Sequence, residues 1–304
     1  MFKTKFATKY CLALSLALGF GNAFAASATL DKIKSSGSVT MGVRESSIPM
    51  SYTTGNNSFE GYHVEVCRMI LDDVKADLKM QNLKIQYQPV TSQNRVSLVQ
   101  NGTVDIECGT TTNNAKRAQD VSFANTLYVE EVRIAVKADS GITSIAQLNG
   151  KKVATTTGTT SVQLLRKNEK ASGISFDEVF GKDHADSFLL LESGRADAFV
   201  MDGSILAGNI ANSKNPKDFK IVGEVLSTEP IAIMVRKDDP EFKAAVNKAI
   251  AKIVANGSMP KLWNKWFLQP IPPKNSVVGL QLSPATKNAW ANLNDKPAED
   301  YQAK

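Results

Sequence analysis

Cysteine and histidine are scarce in this chain: 304 residues hold three of the first and two of the second. Three cysteines are too few for a four-thiolate zinc site, and none stand two apart as a redox pair would. Lysine and arginine are scattered, and no basic block interleaves with aromatics, so a nucleic-acid surface is not expected. Beyond the first 25 residues no apolar run is long enough to span a bilayer. No internal repeat or low-complexity block is found. No metal and no cofactor are expected.

What is present begins with a leader. Lys3, Lys5 and Lys9 flank an apolar run from Cys11 to Phe20, followed by Ala23-Phe24-Ala25. A basic start, a short apolar stretch and small residues around a cleavage point make a secretory signal peptide over residues 1–25. No lipobox cysteine follows, so the mature chain is expected to start near Ala26 and to be exported without a lipid anchor. Removing the three lysines lowers the formal charge from +6 to +3, because the leader holds no acid. Most of the basic excess is therefore targeting signal. Cys11 leaves with the leader. Cys67 and Cys108 remain, either as one disulfide or as two buried thiols, and the sequence leaves both open.

The rest alternates short β-rich runs with amphipathic helices, the pattern of an α/β fold with mostly parallel sheets. Strands are predicted at Ser38–Val43, Lys84–Val90 and Val104–Cys108, with helices at Gly61–Leu78 and Val96–Gln100. Val66, Ile70 and Val74 give the first helix an apolar stripe. After an extended run from Tyr128, a second set follows. Its predicted strands are Lys152–Thr156, Phe176–Phe180 and Ala196–Met201, and its helices Thr160–Lys170, His184–Ser193 and Gly203–Asn212. A strand pair, Lys220–Gly223 and Ile231–Arg236, leads into a helix opened by Asp239-Pro240-Glu241 and closed by Gly257. Two sets joined by extended segments predict two lobes with strand-like hinges near Tyr128–Ile134 and Val222–Met234. Residues 26–130 and 228–304 form the first lobe and 131–227 the second. The proline-rich tail from Gln269 reads equally as an ordered wrap or a loose extension.

In open α/β sheets ligands bind beyond the carboxyl ends of strands, where helices begin. Those places hold Arg44; Ser92 and Arg95; Thr110 and Thr112, with Arg117 a turn later; Thr157 and Thr160; His184; and Asp202. Hydroxyls, helix-start N–H groups and arginine forks receive carboxylates. Asp202 supplies the opposite sign for an ammonium group. The complement of this set is a small zwitterion with an extra carboxylate. Taken singly, each residue has a plainer role: arginines solvated, Thr and Ser as caps, Asp202 as an N-cap, His184 as a helix opener.

Several segments carry a resemblance. Gly42-Val43-Arg44-Glu45-Ser46-Ser47-Ile48-Pro49, Thr91-Ser92-Gln93-Asn94-Arg95, Glu107-Cys108-Gly109-Thr110-Thr111-Thr112-Asn113-Asn114, Lys182-Asp183-His184 and Pro270-Ile271-Pro272-Pro273-Lys274-Asn275 resemble the periplasmic glutamate/aspartate-binding proteins of ABC transporters. The resemblance covers nearly all the mature chain. It implies a two-lobed periplasmic binding fold of type II, two hinge strands, no catalysis, no nucleic-acid partner and a monomer that delivers its ligand to an inner-membrane permease. It also implies roles. Arg117 grips the α-carboxylate, helped by Thr112 and Thr160, and Asp202 takes the α-ammonium. Arg44, Ser92, Arg95 and His184 surround the side-chain carboxylate, with Thr110 nearby. Thr110 stands where serine is common, and Gly203 where a second acid is common. An enzyme on the same scaffold, of the periplasmic dehydratase kind, is the rival. It needs a general acid or base in the cleft, where this list offers mainly donors. A carboxylate beside His184 should raise its pKa in the complex, with the arginines opposing; the alternative is a neutral ring donating through one nitrogen. His63 is placed on a surface helix.

Overall fold

A computed structural model describes residues 27–301; the leader expected over residues 1–25 lies outside them. In chain order the elements are α1 (Ala28–Ser36), β1 (Ser38–Val43), β2 (Ser46–Ser47), β3 (Ser51–Gly55), β4 (Ser58–Glu60), α2 (Tyr62–Asp77), β5 (Lys84–Pro89), α3 (Arg95–Gln100), β6 (Ile106–Glu107), β7 (Val121–Phe123) and β8 (Tyr128–Lys137). Then come β9 (Lys152–Thr156), α4 (Thr160–Ser172), β10 (Asp177–Gly181), α5 (His184–Glu192), β11 (Ala198–Asp202), α6 (Gly203–Ala211), β12 (Phe219–Ile231) and β13 (Met234–Arg236). The chain ends on α7 (Pro240–Ala255), α8 (Ser258–Trp263) with a π-helical turn over Asn264–Leu268, and α9 (Pro284–Ala291).

Two five-stranded sheets repeat one plan. The first runs β5-β1-β6-β13-β7 and the second β10-β9-β11-β8-β12. In each, three parallel strands meet one antiparallel strand, β13 or β8, whose far neighbour returns to the common direction. Parallel strands need helical crossovers, which is why helices separate them in sequence. A small sheet, β2-β3-β4, stands beside the first and has no counterpart in the sequence prediction. The architecture is the two-lobed α/β fold expected.

The predicted stripes are buried. Val66, Ile70 and Val74 of α2 and Phe242, Val246, Ile250 and Ile253 of α7 are each at most 4% exposed. The start of α7 is fixed as its sequence predicts: Asp239 accepts from the Phe242 N–H, and Pro240 occupies the first turn.

One prediction is corrected. Lys220–Gly223 and Ile231–Arg236 are not two paired strands. Phe219–Ile231 is one long strand paired antiparallel to β8, with a register shift between Val222 and Ser227. Gly223 and Pro230 read as breaks in sequence. On an edge strand a proline costs no ladder bond and a glycine marks a bulge, so both are tolerated. β8 and β12 are the two strands that pass from the first sheet's neighbourhood into the second. Their near ends are held by the Leu127 N–H on the Ile231 carbonyl and the Ala232 N–H on that of Thr111.

The tail is an ordered wrap. The Trp290 indole N–H donates to the Leu127 carbonyl at 2.7 Å, and Thr286 Oγ1 accepts from the Val129 N–H. Farther on, Asn113 donates to the Asp295 carbonyl, and the Ala298 N–H donates to that of Asn113. The tail thus braces both a crossing strand and the loop after β6. Cys67 and Cys108 form a disulfide from α2 to that same loop, settling the alternative.

Candidate functional site

The carboxyl ends of β1, β6, β9 and β11 converge where the two sheets face each other. A small, tightly enclosed cavity there is lined by Ser92, Arg95, Thr110, Thr112, Thr159, Thr160, His184, Met201 and Asp202. Seven of the ten residues singled out from sequence are on its wall.

The other three stand apart in different ways. Arg44, fully buried, lies behind the wall: its Nη2 is 2.7 Å from Asp183 Oδ1 and 3.5 Å from His184 Nε2. Arg117 lies at the mouth, bordering an adjoining cleft of about 380 Å³, and donates to the carbonyls of Thr112 (2.9 Å) and Gly158 (3.4 Å). Thr157 is on neither wall, and its hydroxyl donates to the Gly181 carbonyl. Two residues on, Thr159 lines the cavity instead, its own hydroxyl donating to the Thr156 carbonyl.

Charge is sorted across the site. Nε and Nη1 of both Arg44 and Arg95, together with Ser92 Oγ, are buried with no hydrogen-bond partner among the described residues. So is Asp202 Oδ1. Asp202 precedes α6, yet its carboxylate does not cap that helix. The plain N-cap role therefore fails for Asp202, whereas it holds for Asp183, which accepts from the His184 N–H at 2.9 Å. Burial pushes the Asp202 carboxyl well above the usual carboxylate range, and the nearby acids Glu130 and Glu229 push the same way. Burial depresses the Arg95 guanidinium well below its ordinary value, with Arg117 and Arg44 adding like-charge repulsion.

His184 opens α5 and is 1% exposed. Its Nδ1 is 3.0 Å from Thr156 Oγ1, which lies 2.8 Å from Ser187 Oγ. Burial, then Arg44, takes its pKa down to about 3, so the ring is neutral at physiological pH. Without a carboxylate beside it the neutral ring is the favoured form; the rise expected from sequence concerned the complex with an acidic ligand. His63 is likewise buried rather than on a surface: its Nδ1–H donates to the Gly109 carbonyl, and burial lowers its pKa to about 4.

Sequence reading missed Glu229. On β12 and 4% exposed, it accepts from Thr112 Oγ1 at 2.6 Å and from Thr160 Oγ1 at 2.8 Å, both on the same oxygen, Oε2. It also missed Glu130, where Ser204 Oγ and the Glu131 N–H donate to one carboxyl that burial raises to about 7. Acids on crossing strands carry no local motif, and their hydroxyl partners Thr112, Thr160 and Ser204 lie 69 to 117 residues away.

The pattern of the bacterial extracellular solute-binding proteins, family 3, matches residues 39–269. The glutamate/aspartate import solute-binding protein of Escherichia coli K12 is 42% identical over 289 residues, covering 94% of this chain and 96% of that protein. The L-glutamate/L-aspartate-binding protein of Pseudomonas aeruginosa is 43% identical over 272 residues, covering 89% and 90%. Among solved structures, the solute receptor for L-cysteine of Neisseria gonorrhoeae superposes with a TM-score of 0.72 at 25% identity, covering 85% of this chain and 98% of that one. By these matches, and by the two-sheet plan that carries its cleft, the chain belongs to the bacterial extracellular solute-binding proteins, family 3.

Proposed function

We propose that this protein binds L-glutamate or L-aspartate in the cleft between its lobes and hands it to an ABC-type importer in the inner membrane. One observation carries the reading. Buried Arg95 donors, Ser92 Oγ and one Asp202 carboxylate oxygen, all without partners among the described residues, line a single small cavity, with unpartnered Arg44 donors behind it. Buried charge without a partner is costly, and a zwitterion with a second carboxylate answers both signs at once. The names of the relatives from E. coli and P. aeruginosa point the same way.

In this reading Arg95, Ser92, Thr110 and His184 hold the side-chain carboxylate, with Arg44 behind them. Arg117 holds the α-carboxylate and Asp202 the ammonium. Residues 26–130 with 228–304 form one lobe and 131–227 the other, closing about β8 and β12. Binding proceeds without chemistry: His184, its pKa lowered to about 3, is a weak base, and Asp202 faces the ammonium rather than a reacting carbon. An exported chain, acting as a monomer in the periplasm, fits the leader. Among the described residues no helix is long and apolar enough to cross a membrane.

Calorimetry of ligand-stripped protein tests this. Glutamate and aspartate should bind with Kd around the micromolar range, on the order of −8 kcal/mol. Glutamine and asparagine should bind far more weakly, because an amide leaves buried guanidinium charge uncompensated. Equal affinity for glutamate and glutamine would refute the acidic-ligand reading.

A further inference from the structure

Glu229 sits on β12, away from every sequence motif, yet it touches both halves of the cavity. Thr112 comes from the loop after β6 in the first sheet, and Thr160 is the first residue of α4 beside the second. Both line the cavity and both donate to Glu229 Oε2, at 2.6 and 2.8 Å. The other oxygen, Oε1, accepts from Ser227 Oγ at 3.2 Å.

A hydroxyl has one proton. With that proton directed at Glu229, each threonine turns only lone pairs toward the cavity. Thr112 and Thr160 can then accept from an occupant but not donate to it. They suit an N–H group and not a carboxylate oxygen. Asp202, with its Oδ1 unpartnered and buried, lines the same cavity. We infer that Glu229 is the positioning residue for amine recognition: it fixes the sense of the Thr112 and Thr160 hydroxyls, one from each lobe, so that with Asp202 they form an acceptor-only corner for the ligand ammonium. This rests on the acidic amino-acid reading above and revises one part of it. The two threonine hydroxyls belong to the ammonium end, while Arg117 keeps the α-carboxylate.

The test compares glutamate with glutarate, the same dicarboxylate without the amine, by calorimetry on the full mature chain. Three variants are used. Glu229→Met removes charge and acceptor at similar length, and frees both hydroxyls to turn inward. Glu229→Gln keeps one acceptor oxygen for the threonines while removing the charge and replacing the second oxygen by an NH2 group. Thr160→Val removes one hydroxyl and leaves Glu229 in place. Glu229→Met should lower the ratio of glutamate to glutarate affinity by about tenfold or more, the size of one lost hydrogen bond to a charged group. Glu229→Gln should lower it less. Thr160→Val should also lower the ratio, which keeps the test decisive should Glu229→Met fold poorly. An unchanged ratio in the variants, or an equal loss for both ligands, would assign Glu229 a structural role and overturn the inference. If the wild-type chain binds neither acidic amino acid, the parent reading fails, and that result is read from the wild-type arm alone.

Discussion

Arg44 and Asp183 meet across the cleft, with Nη2 of a fully buried guanidinium 2.7 Å from a carboxylate that also caps α5. Arg44 follows β1 of the first sheet, and Asp183 follows β10 of the second. One arginine thus ties the lobes together and keeps two donor atoms, Nε and Nη1, without a protein partner. Arg44→Ala should lose both functions. Glutamate affinity should drop by about 2–5 kcal/mol, the cost of truncating one member of a buried charge pair. Calorimetry measures it, and wild-type affinity would leave Arg44 outside both the tie and the ligand's reach.

Gly208 of α6 packs against the Ile48 carbonyl so closely that an added Cβ would come within 2.1 Å of that oxygen. The contact joins the two lobes outside the cavity. Gly208→Ala should favour its own helix by about 1 kcal/mol while obstructing closure. Ligand affinity should fall although thermal stability does not. Small-angle scattering at saturating glutamate should give a larger radius of gyration than wild type. An equal radius would show that the seam relaxes without opening the cleft.

The histidines set a pH dependence. Unfolded, each protonates near 6.5; folded, His63 holds out to about 4 and His184 to about 3. Below 6.5 the unfolded state binds more protons, so this contribution to stability falls as pH drops from 6.5 toward 4. Glu130 acts in reverse. Its pKa is raised from 4.5 to about 7, so its contribution is full below 4.5 and lost as pH rises through about 7. The comparison must therefore be made between proteins: His63→Gln should lose less stability than wild type between pH 7 and pH 5 in denaturant titrations. In the glutamate complex, the His184 ring signals in NMR should stay flat from pH 8 down to about 5. A shift in that window would restore the charged imidazolium.

The Cys67–Cys108 bridge, spanning 41 residues, anchors the stretch that leads into Gly109 and Thr110. Replacing both cysteines by alanine should cost about 2–4 kcal/mol of stability. Thermal unfolding with and without reductant measures it, and coincident curves would mean that the bridge contributes nothing.

What the sequence made legible was local. Strand ends, helix starts and apolar stripes are written within a few residues. Ser38–Val43 and Lys152–Thr156 therefore emerge with their predicted bounds, and Asp239 caps α7 as its motif requires. Seven cavity-lining residues were legible because ligand sites follow strand ends. Three things were not. The continuity of β12 was hidden because Gly223 and Pro230 are breakers in isolation and tolerable only at a sheet edge. Glu229 was hidden because its threonine partners stand 117 and 69 residues away. The choice between a charged and a neutral His184 stayed open because it depends on depth and on Arg44, 140 residues earlier. Thr159 lines the cavity and Thr157 does not, a difference that composition does not encode.

In the first sheet, β13 lies between β6 and β7, hydrogen-bonded to both. In sequence it arrives more than a hundred residues after them, once the whole second sheet has been passed. As the chain is synthesised from its amino end, β6 and β7 have no strand to join them until Met234–Arg236 is made. The second sheet, drawn from the continuous stretch Tyr128–Ile231, is complete before that moment. The half of the cleft that holds Arg44 and Arg95 is thus finished last, and a chain that stops short of β13 lacks the strand that joins β6 to β7.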